Sequence, residues 1–503
     1  MLRSGENLFR YNRAVGSDYY RFLVPRLDGA DIRRRFREYR ALVRKGVAGF
    51  IVFGGRLETV RRHLAMLQNE SELPLVIGSD LERGLGQQLR GGTLFPPAMA
   101  VAEAVKKAGG GFDRGLFEAY CAAIAEEAAY AGINTVFAPV MDVNTDPRNP
   151  IIAARAFGED TETVASLGTA MIRAFRSRGV VACAKHFPGH GDTRTDSHIM
   201  LPLISKTLRE LRQVELAPFS AAVAARVPMI MLGHLKVPAL DRTGTPVSLS
   251  RPAVRFLRER MGFSGLLITD ALNMGGIGRF SEEEAAFRSL SAGVDLILHP
   301  TDADRICAYL DAREAALSGR KLAIFRERLG EPRRRNAPDF GGNRRCASLI
   351  TDRSLRKTGR ISADAPLFLM IVTDDPGERG AVFSARLGRF ARVAGTRIIR
   401  AGKDVPAPDE IPAGCLVVAA VFSETRAWKG GAGGWIRAAL GVLRSRRGIA
   451  VSFGSPYLLN SVPAPVPRIV AFADSARAEA AAADMIAGRG GARPPADERD
   501  GTV

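Results

Sequence analysis

The chain has 503 residues, 46% of them hydrophobic and 25% charged, the proportions of an ordinary globular protein rather than a disordered or fibrous one. Its formal net charge is +19, which raises nucleic acid as a partner. The arginines, however, are spread along the whole chain in short clusters such as Arg33-Arg34-Arg35 and Arg446-Arg447, without interleaved aromatics or a zinc-finger or RNP-type signature, so specific nucleic-acid binding is not expected. The five cysteines are scattered and form no CxxC pair, so neither a disulfide framework nor a zinc site is indicated. With no apolar signal core at the N-terminus and no apolar run of spanning length, the expectation is a cytoplasmic protein without a membrane span.

From residue 49 to 300, short apolar runs alternate with amphipathic, alanine-rich stretches. The runs at 49–54, 74–79, 135–143, 180–185, 228–233, 265–269 and 294–299 read as strands. Between them, 112–132 and 208–226 show helical spacing, the first ending at Gly132 as a helix C-terminus should. This alternation predicts a parallel sheet closed by crossover helices, a TIM-like (β/α) barrel. Seven strands are evident, so an irregular barrel with one strand missing or short is expected. The Arg-, Pro- and Gly-rich stretch around 326–345 reads as linker or surface loop, with the boundary drawn as linker over 331–364 after a barrel over 1–330. Runs at 367–372, 415–422, 449–453 and 469–472 predict a smaller α/β sandwich domain over 365–487, followed by a breaker-rich, disordered tail over 488–503. The glycine cluster Lys429–Gly434 lacks the GK[ST] ending of a phosphate loop and reads as a turn.

The most informative segment is Lys185–His198, KHFPGHGDTRTDSH, which holds three of the six histidines, a lysine and two aspartates. It follows a buried-strand pattern and is broken by Pro188, Gly189 and Gly191, which makes it a loop leaving the C-terminal end of a strand. Barrel enzymes keep their chemistry at that end. Its His and Asp residues are metal-ligand types, but no HExxH-like pair presets a geometry, and no metal or other cofactor is expected.

KHFPGHGDTRTDSH resembles the signature of glycoside hydrolase family 3, in particular its β-N-acetylhexosaminidase branch. The likeness continues in NPIIAARAFGED (Asn149 to Asp160), MLGHLKVPALD (Met231 to Asp241) and GFSGLLITDALNMGGI (Gly262 to Ile277). It covers about residues 45 to 300 strongly and the C-terminal third weakly. What it implies is a retaining glycosidase, which needs one carboxylate to attack the anomeric carbon and one acid to protonate the leaving oxygen.

Asp270 directly follows the apolar run 265–269, and that position alone suits a nucleophile or a helix N-cap equally. The resemblance of ITDALNM to the family's nucleophile motif makes it the nucleophile. For the acid/base, the resembled branch uses a loop histidine paired with an aspartate two residues earlier, which here are His198 and Asp196. An imidazole titrating near pH 6.5 can donate and accept at neutral pH, with the aspartate fixing its tautomer. By resemblance, Asp80, Arg155, Lys185 and His186 line the sugar subsite; the alternative for Arg155 and Lys185 is a structural ion pair at the barrel rim. His234 and Asp142 are supports or packing residues at strand ends. The chain departs from the branch after Asp80, where DLERGLGQQL replaces a DQEGG-type motif and Gln88 falls where a sugar-holding arginine is usual, Arg90 being out of register.

The resemblance thus implies a retaining exo-β-N-acetylglucosaminidase acting on small β-linked oligosaccharides or muropeptides. The alternatives are a β-N-acetylglucosaminide phosphorylase, a β-glucosidase on the same fold, and a non-catalytic sugar-binding protein.

Overall fold

The computed structural model describes residues 17–193, 200–315, 317–329, 336–361, 364–400, 403, 405–423 and 434–489. Its larger unit is a parallel barrel. Strands β1 (Leu23–Val24), β2 (Arg26–Asp28), β3 (Gly49–Phe53), β4 (Val76–Ser79), β5 (Thr135–Val136), β6 (Val181–Phe187), β7 (Met229–Leu232), β8 (Leu266–Thr269) and β9 (Ile297–Leu298) follow in chain order. Strands β2 to β8 pair in sequence order, all parallel.

The ring closes through β1 and β9. Leu23 and Val24 are in register with Ile297 and Leu298. The same segment bonds β3 on its other side, Ala48 N donating to Leu23 O (3.0 Å) and Ile51 N to Pro25 O (3.0 Å). Strand β9 joins β8 through Leu296 N to Leu267 O (3.0 Å) and Thr269 N to Leu296 O (3.1 Å). β1 and β2 therefore form one stave, and the barrel has eight staves rather than the seven expected. The stave that escaped the sequence reading is short and is interrupted by Pro25, which has no N–H for a ladder.

Where the ladder ends also differs at β5. The expected run 135–143 is continuous strand only at Thr135–Val136, with one further parallel bridge, Val140 to Lys185. Pro139 follows, after which Met141 N and Lys185 O meet at 2.6 Å and the chain runs on as the long segment to Asp160. The helix predicted over 112–132 forms as Arg114–Ala131, capped by the Asp113 side chain and ended by Gly132 at φ 85°. The stretch 208–226 forms two helices, Leu208–Gln213 and Leu216–Ala224.

The smaller unit is one sheet with a core on each face. Strands β10 (Arg356–Thr358), β11 (Leu367–Thr373), β12 (Val393–Arg400), β13 (Leu416–Phe422), β14 (Gly448–Ser452) and β15 (Arg468–Val470) lie in the order β10-β15-β14-β13-β11-β12, parallel except for β10. Alternate residues of β11 feed the two cores: Leu367, Leu369 and Ile371 one, Phe368, Met370 and Val372 the other. Helices Ala381–Gly388 and Ala476–Ile486 cover the first face and helix Gly434–Leu440 the second.

Much of the stretch read as linker is regular structure. Phe340–Ser354 is a helix capped by Asp339, and β10 follows it. Its buried residues Ala347, Ile350, Thr351 and Ser354 keep helical spacing, but they are too small and polar to stand out as an apolar stripe. Asn343 reaches Glu127 on the barrel (2.8 Å), and Asp352 is held by Arg477 of the smaller unit (2.6 Å). Among the described residues no helix is long and apolar enough to cross a membrane.

Candidate active site

Three of the expected site residues, Asp80, Lys185 and Arg155, are joined through Glu82 at the C-terminal ends of β4 and β6. Lys185 Nζ lies 2.6 Å from Asp80 Oδ1 and 2.7 Å from Glu82 Oε1. Arg155 closes on the same Glu82 with two bonds, Nε to Oε2 (2.9 Å) and Nη2 to Oε1 (2.7 Å), and gives a third to Ile151 O (3.2 Å). The paired fork geometry fixes the guanidinium plane, and three bonds leave it further N–H donors.

Charge explains why these groups stay ionised. Burial works against the Glu82 carboxylate, but the adjacent Arg155 and Lys185 cations outweigh it and hold its pKa below the usual range. Burial also disfavours the Lys185 ammonium, yet Asp80 and Glu82 keep its pKa above the ordinary value. Arg155 is raised in the same way by Glu82 against its burial. Glu82 was not among the expected site residues, although its place two positions after Asp80 in the DLERG motif was a usable signal.

His186 is buried and turned by Asp142, whose Oδ2 sits 2.7 Å from its Nδ1. A carboxylate at that distance requires the proton on Nδ1 and turns Nε2 away from Asp142. Asp142 Oδ1 also accepts from His190 N (2.6 Å), so one fully buried carboxylate orients a ring and ties down the loop that follows β6. His190 Nδ1 faces Thr193 Oγ1 at 2.6 Å, and burial lowers its pKa to about 4 despite the pull of Asp142. Gly191 is required here because a Cβ would stand 1.7 Å from Val143 O.

Asp270 begins one residue past β8, at the same end of the barrel. Its N–H donates to Leu232 O (2.9 Å), and its Oδ1 accepts from Ala271 N (2.8 Å). Buried His234 supports that corner: Nε2 donates to Ala271 O (3.1 Å), and Nδ1 is hydrogen-bonded to Ser248 Oγ (2.6 Å). Asp196 and His198 lie outside the described residues, as does most of the Lys429–Gly434 cluster. Gln88, which stands where an arginine was expected, is instead a strut, its amide lying 3.4 Å from Asp80 O and from Gly54 N. A larger cavity of about 440 Å³ opens around Val294, Asp295 and Leu322, at the opposite end of β9 from this chemistry.

The family model described as the glycosyl hydrolase family 3 N terminal domain matches residues 24–324. The chain belongs to that family. Over 308 residues it is 33% identical to a β-hexosaminidase A of Pseudoalteromonas piscicida, covering 56% of this chain and 51% of that protein. Over 331 residues it is 31% identical to a β-N-acetylglucosaminidase/β-glucosidase of Cellulomonas fimi, covering 62% and 56%. The matches thus span only about half the length of these two family 3 relatives. A solved family 3 β-N-acetylglucosaminidase from Paenibacillus sp. str. FPU-7 superposes with a TM-score of 0.79 at 26% identity, covering 94% of this chain and 96% of that one, so the likeness includes the smaller unit.

Proposed function

We propose that this family 3 protein is a cytoplasmic retaining exo-β-N-acetylglucosaminidase that releases terminal GlcNAc from small β-linked glycans such as peptidoglycan fragments. The reading is carried by the Asp80–Lys185–Glu82–Arg155 network at the barrel end that also holds Asp270. Such a set of fixed donors and acceptors suits the hydroxyls of a terminal sugar, and the names of the relatives support the amino sugar.

In this mechanism an Asp270 carboxylate oxygen bonds to the anomeric carbon as the glycosidic C–O bond breaks, and the leaving oxygen takes a proton from His198. Water then gives a proton to His198 and attacks the same carbon, which frees Asp270. Asp196 orients the imidazole and stabilises its charged form. Asp80, Arg155, Lys185 and His186 hold the terminal ring over Asp270.

Nitrophenyl glycosides of GlcNAc and glucose, assayed with and without millimolar phosphate, test the proposal. GlcNAc released at a rate independent of phosphate is the expected result. A preference for glucosides, or GlcNAc 1-phosphate as the main product, overturns the stated activity.

A further inference from the structure

Arg155 sits on a turn, Ala153–Arg155, whose first residue has φ +39°, an uncommon conformation for alanine. Something must hold that turn. The amide of buried Asn144 does so: its Oδ1 accepts from Ala153 N (2.9 Å). The same amide's Nδ2 donates to Asp146 O (3.3 Å) and to Tyr457 Oη (2.9 Å). Ala153 N–H can only donate and Asp146 O can only accept, so the two ends of the amide are unambiguous. Tyr457 oxygen therefore accepts, and burial, with the Glu159 carboxylate nearby, holds its phenol pKa above the ordinary value.

Tyr457 belongs to the smaller unit, while Asn144, Ala153 and Glu159 all belong to the 142–160 segment of the barrel. The smaller unit also covers Ala154, whose buried side chain packs with Phe472, Met99 and Ala100. A narrow cleft of about 50 Å³, lined by Glu82, Arg155, Ser455 and Phe472, runs along the seam.

We propose that Tyr457 is a positioning residue for the sugar subsite, acting from the smaller unit through Asn144 and the Ala153 backbone to fix the turn that carries Arg155. The proposal rests on Arg155 contacting substrate, as in the function proposed above, but the relay itself does not. It gives the smaller unit a part in catalysis without requiring any of its atoms to touch the sugar.

Tyr457→Phe in the full chain keeps the ring and removes the hydroxyl. Hydrogen exchange over residues 151–156 should speed up about fivefold to tenfold, the usual yield of one lost neutral hydrogen bond. KM for an aryl β-GlcNAc should rise by a similar factor with kcat within about twofold, because Arg155 binds ground state and transition state alike. Asn144→Ala removes the relay at its other end and should raise KM at least as much. The double variant should be no worse than Asn144→Ala alone, since both act on one path. Unchanged exchange in Tyr457→Phe overturns the relay, as do effects that multiply in the double variant. Faster exchange with unchanged KM overturns the positioning role. If the natural chain cleaves no β-glycoside the proposed activity fails, and the exchange measurement still decides the relay.

Discussion

Lys185 Nζ stands 2.7 Å from Glu82 Oε1, and 2% and 9% of the two side chains are exposed. An ammonium this deeply placed is tolerated only because carboxylates surround it, and Glu82 is the one that also grips Arg155. Removing one partner of such a buried set costs about 3–5 kcal/mol, since it strands the remaining charge.

Glu82→Gln should therefore lower stability by an amount in that range and raise KM strongly. Its pH dependence has a definite sign. The Glu82 pKa is lower folded than unfolded, so its stabilisation is complete above the unfolded value near 4.3 and fades as pH falls below it. Urea melts at pH 7 and pH 3 should show the gap between natural and variant protein narrowing at acid pH. A gap of constant size removes the ion-pair explanation.

Asp270→Ala should lose essentially all turnover while still binding GlcNAc, because nothing replaces a covalent nucleophile on that face. A 5-fluoro GlcNAc fluoride should leave its sugar on the peptide containing Asp270, read by mass spectrometry. A label on any other carboxylate reassigns the role.

His198→Ala should slow cleavage of natural glycosides by about 10²–10⁴, the usual worth of general acid catalysis. Activated aryl leaving groups need little protonation, so their loss in the glycosylation step should be much smaller. Asp196→Ala should follow the same trend more mildly. Equal losses across a leaving-group series would mean that these residues only shape the loop.

His190 makes the fold sensitive to mild acid. Its pKa falls from about 6.5 unfolded to about 4 folded, so its neutral ring contributes fully above pH 6.5 and loses that contribution as pH drops towards 4. The slope amounts to about 3 kcal/mol at most across that window. His190→Gln should flatten the curve of unfolding free energy against pH between 4 and 6.5, whatever its offset at pH 7. An unchanged slope would place the titration elsewhere, for instance at His299, which burial also lowers to about 4.

The repeating apolar runs made the barrel readable, because a strand buried on both faces has to be apolar throughout. Elements lacking such a run stayed hidden. Strand β12 is an edge with mostly exposed residues, so its sequence VAGTRIIR carries little pattern. The charge partners Asp80, Arg155 and Lys185 were legible from motif likeness alone, whereas Glu82, which joins them, went unread although it stands two positions after Asp80 in the same motif. Tyr457 is a harder case. It lies 313 residues from the Asn144 it contacts, and its immediate sequence, SPYLLN, carries no mark of the barrel.

The split stave also bears on how the chain is made. β1 is synthesised before its partner β9 by about 270 residues, so the ring can close only after most of the barrel has emerged. Until then Leu23 and Val24 are an unpaired apolar edge of the kind that recruits foreign strands. Val24 is the residue that faces this open side, its carbonyl waiting for His299 N, while Leu23 and Pro25 turn their carbonyls to Ala48 and Ile51.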